Sequence, residues 1–304
     1  MRKFEPPVKD LRDKTVVISG ATSGIGLKTA EEFAKLRAKV IMLCRDETKC
    51  INNRRRLLNN TKNGQIFCSK IDLESLASVK QCADRLNDKL DKIDILVNCA
   101  GVMRIPKKTL TVDGLEAHMS VNHYSHFVLT HLLMHKLEQS DDPRILNITC
   151  QDYRKGKLDF ANLNMLQNYT PEGAYQQSKL ANVLFTKELA ERLKESKVNV
   201  FSIRANKCHT DLKRNFSYWP YYSLSAIPRA FHWFFEFSMP QVAQTIMYGA
   251  LEPSLKDKAK SGICINNCKE EKCKLPDDYR VLAKKLWLTS EKWTNLEKLK
   301  KGES

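Results

Sequence analysis

Tyr175 and Lys179, in the string AYQQSKLAN, stand four residues apart. On a helix that spacing puts both side chains on one face. The pair suits a reaction in which hydride and a proton move together. A carbonyl that accepts hydride needs a proton, and an alcohol that gives up hydride must lose one. A phenol with its ordinary pKa near ~10 is a poor base at neutral pH. A neighbouring ammonium, helped by the positive ring of an oxidised nicotinamide, stabilises the phenolate and lowers that value. Far upstream, SGATSGIG places Gly20, Gly24 and Gly26 directly after an apolar run. Glycine is needed where backbone turns sharply and must approach a pyrophosphate without a Cβ. A helix starting there supplies N–H groups and partial positive charge for the phosphates. Thr22, Ser23 and Ile25 fill the same turn and are expected to line the phosphates with the glycines.

An alternation of strands and helices has to position these groups. Thr15 to Ser19, Val40 to Cys44, Gln65 to Ile71, Ile93 to Val97, Arg144 to Thr149 and Val198 to Ile203 read as strands, with Gly262 to Ile265 as a seventh. Helical spacing of apolar residues predicts helices over 24–36, 46–59, 75–90, 113–138, 172–195 and 241–250, and one in the C-terminal tail. Apolar strands between amphipathic helices imply an α/β fold: a single-domain, Rossmann-type doubly wound parallel sheet of about seven strands, helices on both faces. No linker divides residues 1–304, and ligands of such sheets bind at the carboxyl ends of the strands. At the end of the second strand Arg45 follows IMLC. An acidic residue there selects NAD, whereas an Arg fork suits a 2′-phosphate, so NADP(H) is the expected cofactor. Lys49 is placed to assist, and a surface pair of Arg45 with Asp46 or Glu47 is the plainer alternative.

The glycine spacing, G-x-x-x-G-x-G, resembles that of the short-chain dehydrogenase/reductase family, and the resemblance runs over nearly the whole chain. Asp72 and Leu73 match an acidic-leucine pair beside the adenine. Asn98-Cys99-Ala100-Gly101 resembles the family's N-N-A-G turn, Asn122 matches the Asn of the long helix, and Tyr175 and Lys179 match its Y-x-x-x-K motif. The strings CRDETK, DGLEAHMSVNHYSHFVLT and YQQSKLANVLFTKELAERL are similar to the retinol dehydrogenase-like branch. The resemblance implies an oxidoreductase acting on a lipophilic, retinoid-like alcohol or carbonyl. Tyr175 would be acid/base, Lys179 would tune it and hold the nicotinamide ribose, and Asn122 would complete a water-linked proton path. Asp72, Leu73, Asn98, Ala100, Gly101 and Thr210 would contact the cofactor. It also implies a homodimer through the long helix and the helix bearing Tyr175.

Two positions depart from that pattern. The serine that polarises the carbonyl oxygen is Cys150 here, and the Pro-Gly after the sixth strand is Ala205-Asn206. A thiol is a weak donor, and loss of one donor to a developing oxyanion costs roughly 10²–10³ in rate. Thr149 should not replace it, because adjacent strand residues point to opposite faces. The alternative reading is therefore a dinucleotide-binding protein of the same fold that has lost catalysis.

Bulk properties set outer bounds. A hydrophobic content of 42% supports a large core. The net charge of +16 suits phosphates or anionic lipid, but no nucleic-acid motif accompanies the run Arg54–Arg56. The aromatic stretch 216–239, interrupted by Pro220 and Pro228, reads as a lid that can touch a membrane surface. Cysteine spacing argues against disulfides, and Cys44, Cys68 and Cys99 read as small hydrophobes. A reduced intracellular location follows, cytoplasmic or peripheral to an organelle membrane, with no secretion signal in MRKFEPPVKD. Cys264, Cys268 and Cys273 lack paired spacing and a fourth ligand, and His123, His126, His131 and His135 lack matching carboxylates. No metal is expected, and the histidine face should pack against protein.

Overall fold

The computed structural model describes residues 4–7, 10–205 and 238–302. One sheet organises them, in the order β3-β2-β1-β4-β5-β6-β7-β8. Its strands are β1 (Thr15–Ser19), β2 (Lys39–Cys44), β3 (Ile66–Lys70), β4 (Ile95–Asn98), β5 (Arg144–Cys150), β6 (Asn199–Ala205), β7 (Cys264–Asn266) and β8 (Lys269–Glu271). All neighbours through β7 are parallel, and β8 returns antiparallel to β7. The fold class is the expected one, with β8 added. That strand, Lys-Glu-Glu, carries no apolar alternation and could not be seen as a period.

Strand residues alternate between two cores. Val17, Leu43, Leu96 and Ile145 enter the core under α3 (Leu76–Lys89), α5 (Ser125–Leu132) and α7 (Pro171–Arg192). Val16, Ile18, Met42 and Val97 enter the opposite core, under α1 (Gly24–Lys35), α2 (Glu47–Thr61) and α8 (Ser238–Leu251). Strands buried on both faces need helices on both faces, which accounts for their unbroken apolar runs.

The single helix expected over 113–138 is instead four pieces. α4 (Ala117–Met119) leads into a π-helical turn (Ser120–Tyr124), then α5, then α6 (Met134–Leu137). Glu116 caps α4 by accepting the Met119 N–H at 2.9 Å, so residues 113–116 lie outside the helix. One residue inserted into a turn leaves the apolar spacing nearly intact, which hides a π turn from periodicity.

The cysteines correct the sequence reading. Cys50 on α2 is bonded to Cys68 on β3, and Cys264 on β7 to Cys273 just beyond β8. Both partners come together through the fold, across a crossover and a hairpin, so spacing could not pair them. Disulfides persist in oxidising surroundings; the cysteine argument for a reducing compartment does not stand. Cys68 is not a lone small hydrophobe, and two of the three cysteines weighed as a metal cluster are bonded to each other.

At the C-terminus, α9 (Tyr279–Trp293) and α10 (Leu296–Lys301) close one side. Trp287 of α9 lies 5.1 Å from the Phe127 ring, 5.0 Å from His131 and 6.1 Å from Phe185. α9 thus covers α5 and α7, the helices that resemblance assigned to a homodimer. Among the described residues no helix is long and apolar enough to cross a membrane. The aromatic segment expected to be a lid, 216–239, lies outside the described residues except for Ser238 and Met239, which begin α8.

Candidate active site

The cradle is set by backbone. β1 ends at Ser19, and the chain turns through Gly20 (φ +68°) and Gly24 (φ +53°), conformations that L side chains rarely adopt. A Cβ on Gly20 would stand 2.8 Å from the Ala100 Cα, and one on Gly26 would overlap the Gly20 carbonyl. Ser23, the N-cap of α1, makes no side-chain cap bond, and no acidic residue sits in the first turn. The helix end therefore presents amides and positive dipole to an anion. This cradle fits a dinucleotide's phosphates.

Around it opens a cleft of about 440 Å³ at the strand-order reversal between β1 and β4. Gly20, Thr22, Ser23, Gly24, Ile25 and Gly26 line one end. Arg45, Asp72 and Leu73 line it beyond the end of β2, with Lys49 and Glu74. Ala100, Gly101, Cys150, Tyr175 and Lys179 line the other end. Arg45 pairs with Glu74 at 3.1 Å, both half exposed, whereas Asp46 caps α2 by accepting the Lys49 N–H at 2.9 Å. Asn98 does not line the cleft. It is buried, and its amide donates to Asn147 Oδ1 at 2.8 Å and Thr130 Oγ1 at 3.1 Å, joining β4 to β5 and α5.

Tyr175 and Lys179 reach the cleft from α7. Thr170 caps that helix and Pro171 starts it. Thr149 Oγ1 donates to the Lys179 carbonyl at 3.0 Å, and Asn182 donates to Ile148 O at 3.2 Å, so α7 is tied to β5. The Thr149 hydroxyl is thereby committed to the backbone of α7. Tyr175 Oη lies 3.3 Å from Cys150 Sγ. Lys179 Nζ sits 5.6 Å from the Tyr175 ring centroid and donates to Ile148 O at 3.5 Å.

The electrostatics differ from the expectation that Lys179 lowers the tyrosine. Burial pushes Tyr175 well above its ordinary value; Cys150 and Asp152 add to the rise, and Arg104 opposes it. Burial lowers Lys179, opposed by Cys150 and Cys99. Burial also raises Cys150, opposed first by Lys179 and then by the bond to Tyr175. Desolvation is the largest influence at all three groups, so at neutral pH the phenol keeps its proton and Cys150 is a thiol.

Asn122, in the π turn, is fully buried and does not line the cleft. Its amide donates to Val102 O at 3.0 Å and Ser178 Oγ at 2.8 Å, and its Oδ1 accepts the Val102 N–H at 2.8 Å. This side chain braces the wall beside the cleft. Sequence reasoning missed the partner of this arrangement. Ser19 Oγ accepts the N–H groups of Cys99 (2.9 Å) and Ala100 (3.0 Å) and meets His126 Nε2 at 2.8 Å. His126 Nδ1 donates to Asn122 O at 3.1 Å. Burial lowers the His126 pKa to about 4, which keeps the ring neutral. Nothing in a strand-end serine or a helical histidine announced this contact. His123 bonds Ser290 of α9 at 2.9 Å, as a packed histidine face predicts. Thr210 and Asn206 lie outside the described residues.

A glycine cradle, a strand-reversal cleft and a Tyr-Lys pair facing it define a dinucleotide-dependent oxidoreductase. The short chain dehydrogenase family model matches residues 14–220, and the chain belongs to that family, whose members bind a nicotinamide dinucleotide. Retinol dehydrogenase 12 of Mus musculus is 36% identical over 277 residues, covering 91% of this chain and 85% of that protein. Retinol dehydrogenase 13 of Homo sapiens is 35% identical over 293 residues, covering 96% and 88%. The crystal structure of an uncharacterized protein from Mycobacterium Paratuberculosis superposes with a TM-score of 0.71 at 29% identity, covering 97% of this chain and 98% of that one. A short chain dehydrogenase from Escherichia coli CFT073, complexed with NADPH, superposes with a TM-score of 0.67 at 21% identity, covering 86% and 99%.

Proposed function

We propose that this chain uses NADP(H) to interconvert an alcohol and a carbonyl group on a lipophilic, retinoid-like substrate, as a single dinucleotide-binding domain. The observation that carries the reading is Tyr175 Oη, 3.3 Å from Cys150 and in the same cleft as the glycine cradle. Similarity to retinol dehydrogenases over most of the chain supports the substrate class. Arg45 and Lys49 at the adenine side support a 2′-phosphate.

When bound, the dinucleotide supplies or takes up the hydride. The amides after Gly20 and at the start of α1 hold its phosphates, with Thr22, Ser23 and Ile25 lining them. Arg45, Asp72 and Leu73 would flank the adenine half, and Ala100 and Gly101 would line the part beside Lys179. Lys179 would hold the nicotinamide ribose. Tyr175 gives its proton to the carbonyl oxygen as that oxygen gains charge; burial holds the phenol in the protonated form from which that step starts and at the same time makes it a weaker acid. Cys150 Sγ is the weak donor to the same oxygen.

Turnover of retinaldehyde and an aromatic aldehyde panel with NADPH tests the reading. Tyr175→Phe should cut kcat by roughly 10²–10⁴ with NADPH affinity little changed. Unchanged turnover in that variant removes Tyr175 from the chemistry. One observation favours a second reading, a dinucleotide binder without useful turnover: the thiol at Cys150. Tight NADPH binding by the wild type with no turnover on the whole panel decides for it.

A further inference from the structure

Beside Tyr175 lies a buried acid and base that no step above uses. Glu116 and His118 are both fully buried. Glu116 Oε1 lies 2.7 Å from His118 Nδ1, and Glu116 Oε2 accepts the Met119 N–H at 2.9 Å. The other ring nitrogen, His118 Nε2, accepts the Ile105 N–H at 3.2 Å. A backbone N–H can only donate, so Nε2 carries no proton and the proton toward Glu116 sits on Nδ1. The carboxylate thus fixes which ring nitrogen is free to take the Ile105 amide.

What this arrangement holds is the strip Val102 to Ile105. Val102 and Met103 line the cleft with Tyr175. Asn122 clamps Val102 through its N–H and its carbonyl. Arg104 turns the strip in a left-handed conformation (φ +50°), with its Nε 3.6 Å from Glu172 Oε1 one turn before Tyr175 on α7. Tyr169 Oη donates to the Ile105 carbonyl at 2.6 Å. The His118 ring packs edge-on against the Tyr175 ring, centroids 6.4 Å apart. The same imidazole therefore touches both the acid and the wall that faces it.

We propose that Glu116 and His118 form a carboxylate–imidazole brace that sets the wall Val102–Ile105 against Tyr175, making them positioning residues for the substrate. The proposal rests on the reading that Tyr175 is the acid. Its prediction is selective: loosening the brace shifts the wall, while the phosphate cradle, built on Gly20–Gly26, stays where it is. Misplacement of a substrate by about 1 Å can cost roughly 10² in rate, so a small displacement is enough to be read.

Three variants separate the parts, each scored by hydrogen exchange of the 102–107 backbone, KM and kcat for an aromatic aldehyde, and the Kd for NADPH. His118→Asn keeps a donor near the Nδ1 position but has no acceptor for the Ile105 amide. It should speed exchange at that amide and raise KM about tenfold, with NADPH Kd unchanged. His118→Gln returns an acceptor near the Nε2 position and should recover slow exchange and most of the KM. Glu116→Gln sets an amide N–H₂ against one of the two donors the carboxylate now accepts, and should resemble His118→Asn. The brace is refuted if His118→Asn and Glu116→Gln exchange and bind aldehyde like the wild type. It is equally refuted if KM and NADPH Kd worsen together in all three, the mark of a general loss of structure. Should His118→Asn not fold, the contrast between His118→Gln and Glu116→Gln decides. A wild type with no turnover sinks the oxidoreductase reading instead, and exchange at Ile105 still reports on the brace.

Discussion

The phosphate end of the cleft is built from backbone, and the reacting end from side chains. Around Gly20 and Gly26 the atoms that matter are carbonyls, amides and the space where a Cβ is missing. Around Tyr175 they are a phenol, an ammonium, a thiol and the buried polar groups that hold them. A backbone site depends on shape and admits few residue types. A side-chain site keeps its shape when one functional group is exchanged and changes only what it can do. Cys150 is such an exchange: β5 continues in register with β6 up to Cys150 and Ala205, and the thiol still meets Tyr175.

The largest expected gain sharpens this contrast at the reacting end. Serine in place of Cys150 would restore a strong donor where charge develops on the carbonyl oxygen. Cys150→Ser should raise kcat for aldehyde reduction by roughly 10²–10³ and leave melting temperature and NADPH affinity near wild-type values. Steady-state kinetics with one aldehyde is sufficient. A change below threefold would mean the thiol is not a handicap and that another group polarises the carbonyl.

A methyl group is enough to break the backbone end. The Gly26 Cα has no room for a Cβ beside the Gly20 carbonyl, so Gly26→Ala must push the turn away from α1. Overpacking of this kind costs about 1–3 kcal/mol, which corresponds to roughly 5- to 150-fold in affinity. Calorimetric titration should show NADPH binding weakened on that scale, with kcat at saturating cofactor much less affected. Equal losses in Kd and kcat would show that the two ends are not separable.

The same division governs what could be read from the sequence. The cradle was legible because G-x-x-x-G-x-G after TVVIS states a backbone requirement in residue types. The Tyr175–Lys179 pair was legible because one helix fixes its spacing. The sheet was legible from apolar runs buried on both faces. The illegible parts are contacts between residues distant in sequence or departures from a regular period. Cys50 and Cys68 meet only after α2 has crossed back over β3. The π turn at Ser120–Tyr124 interrupts a helix whose apolar pattern continues. Asn98 and Asn122 carry amides that can serve a ligand or the fold, and only the partners they found, Asn147 and Val102 among them, separate the two uses. Glu116 and His118 sit two apart, a spacing that puts no helical pair face to face; their bond needs the cap that starts α4.

The smallest effect lies beyond the end of β2, where the contrast is weakest because side chains such as Arg45 and Glu74 line the cleft beside the backbone cradle. Arg45 is 55% exposed and already paired with Glu74 at 3.1 Å. An exposed pair of this kind is worth about 0–1 kcal/mol, so Glu74 competes only feebly with a 2′-phosphate. A charge-assisted bond contributes about 1.5–3 kcal/mol when sheltered, and exposure brings this toward the lower end. Arg45→Gln should therefore raise the KM for NADPH about tenfold and leave that for NADH unchanged. Glu74→Gln, which frees the guanidinium, should move NADPH the other way by less than that. If the NADPH/NADH ratio is the same in Arg45→Gln as in the wild type, the arginine is a surface residue held by Glu74, and cofactor choice is made by other groups on the rim.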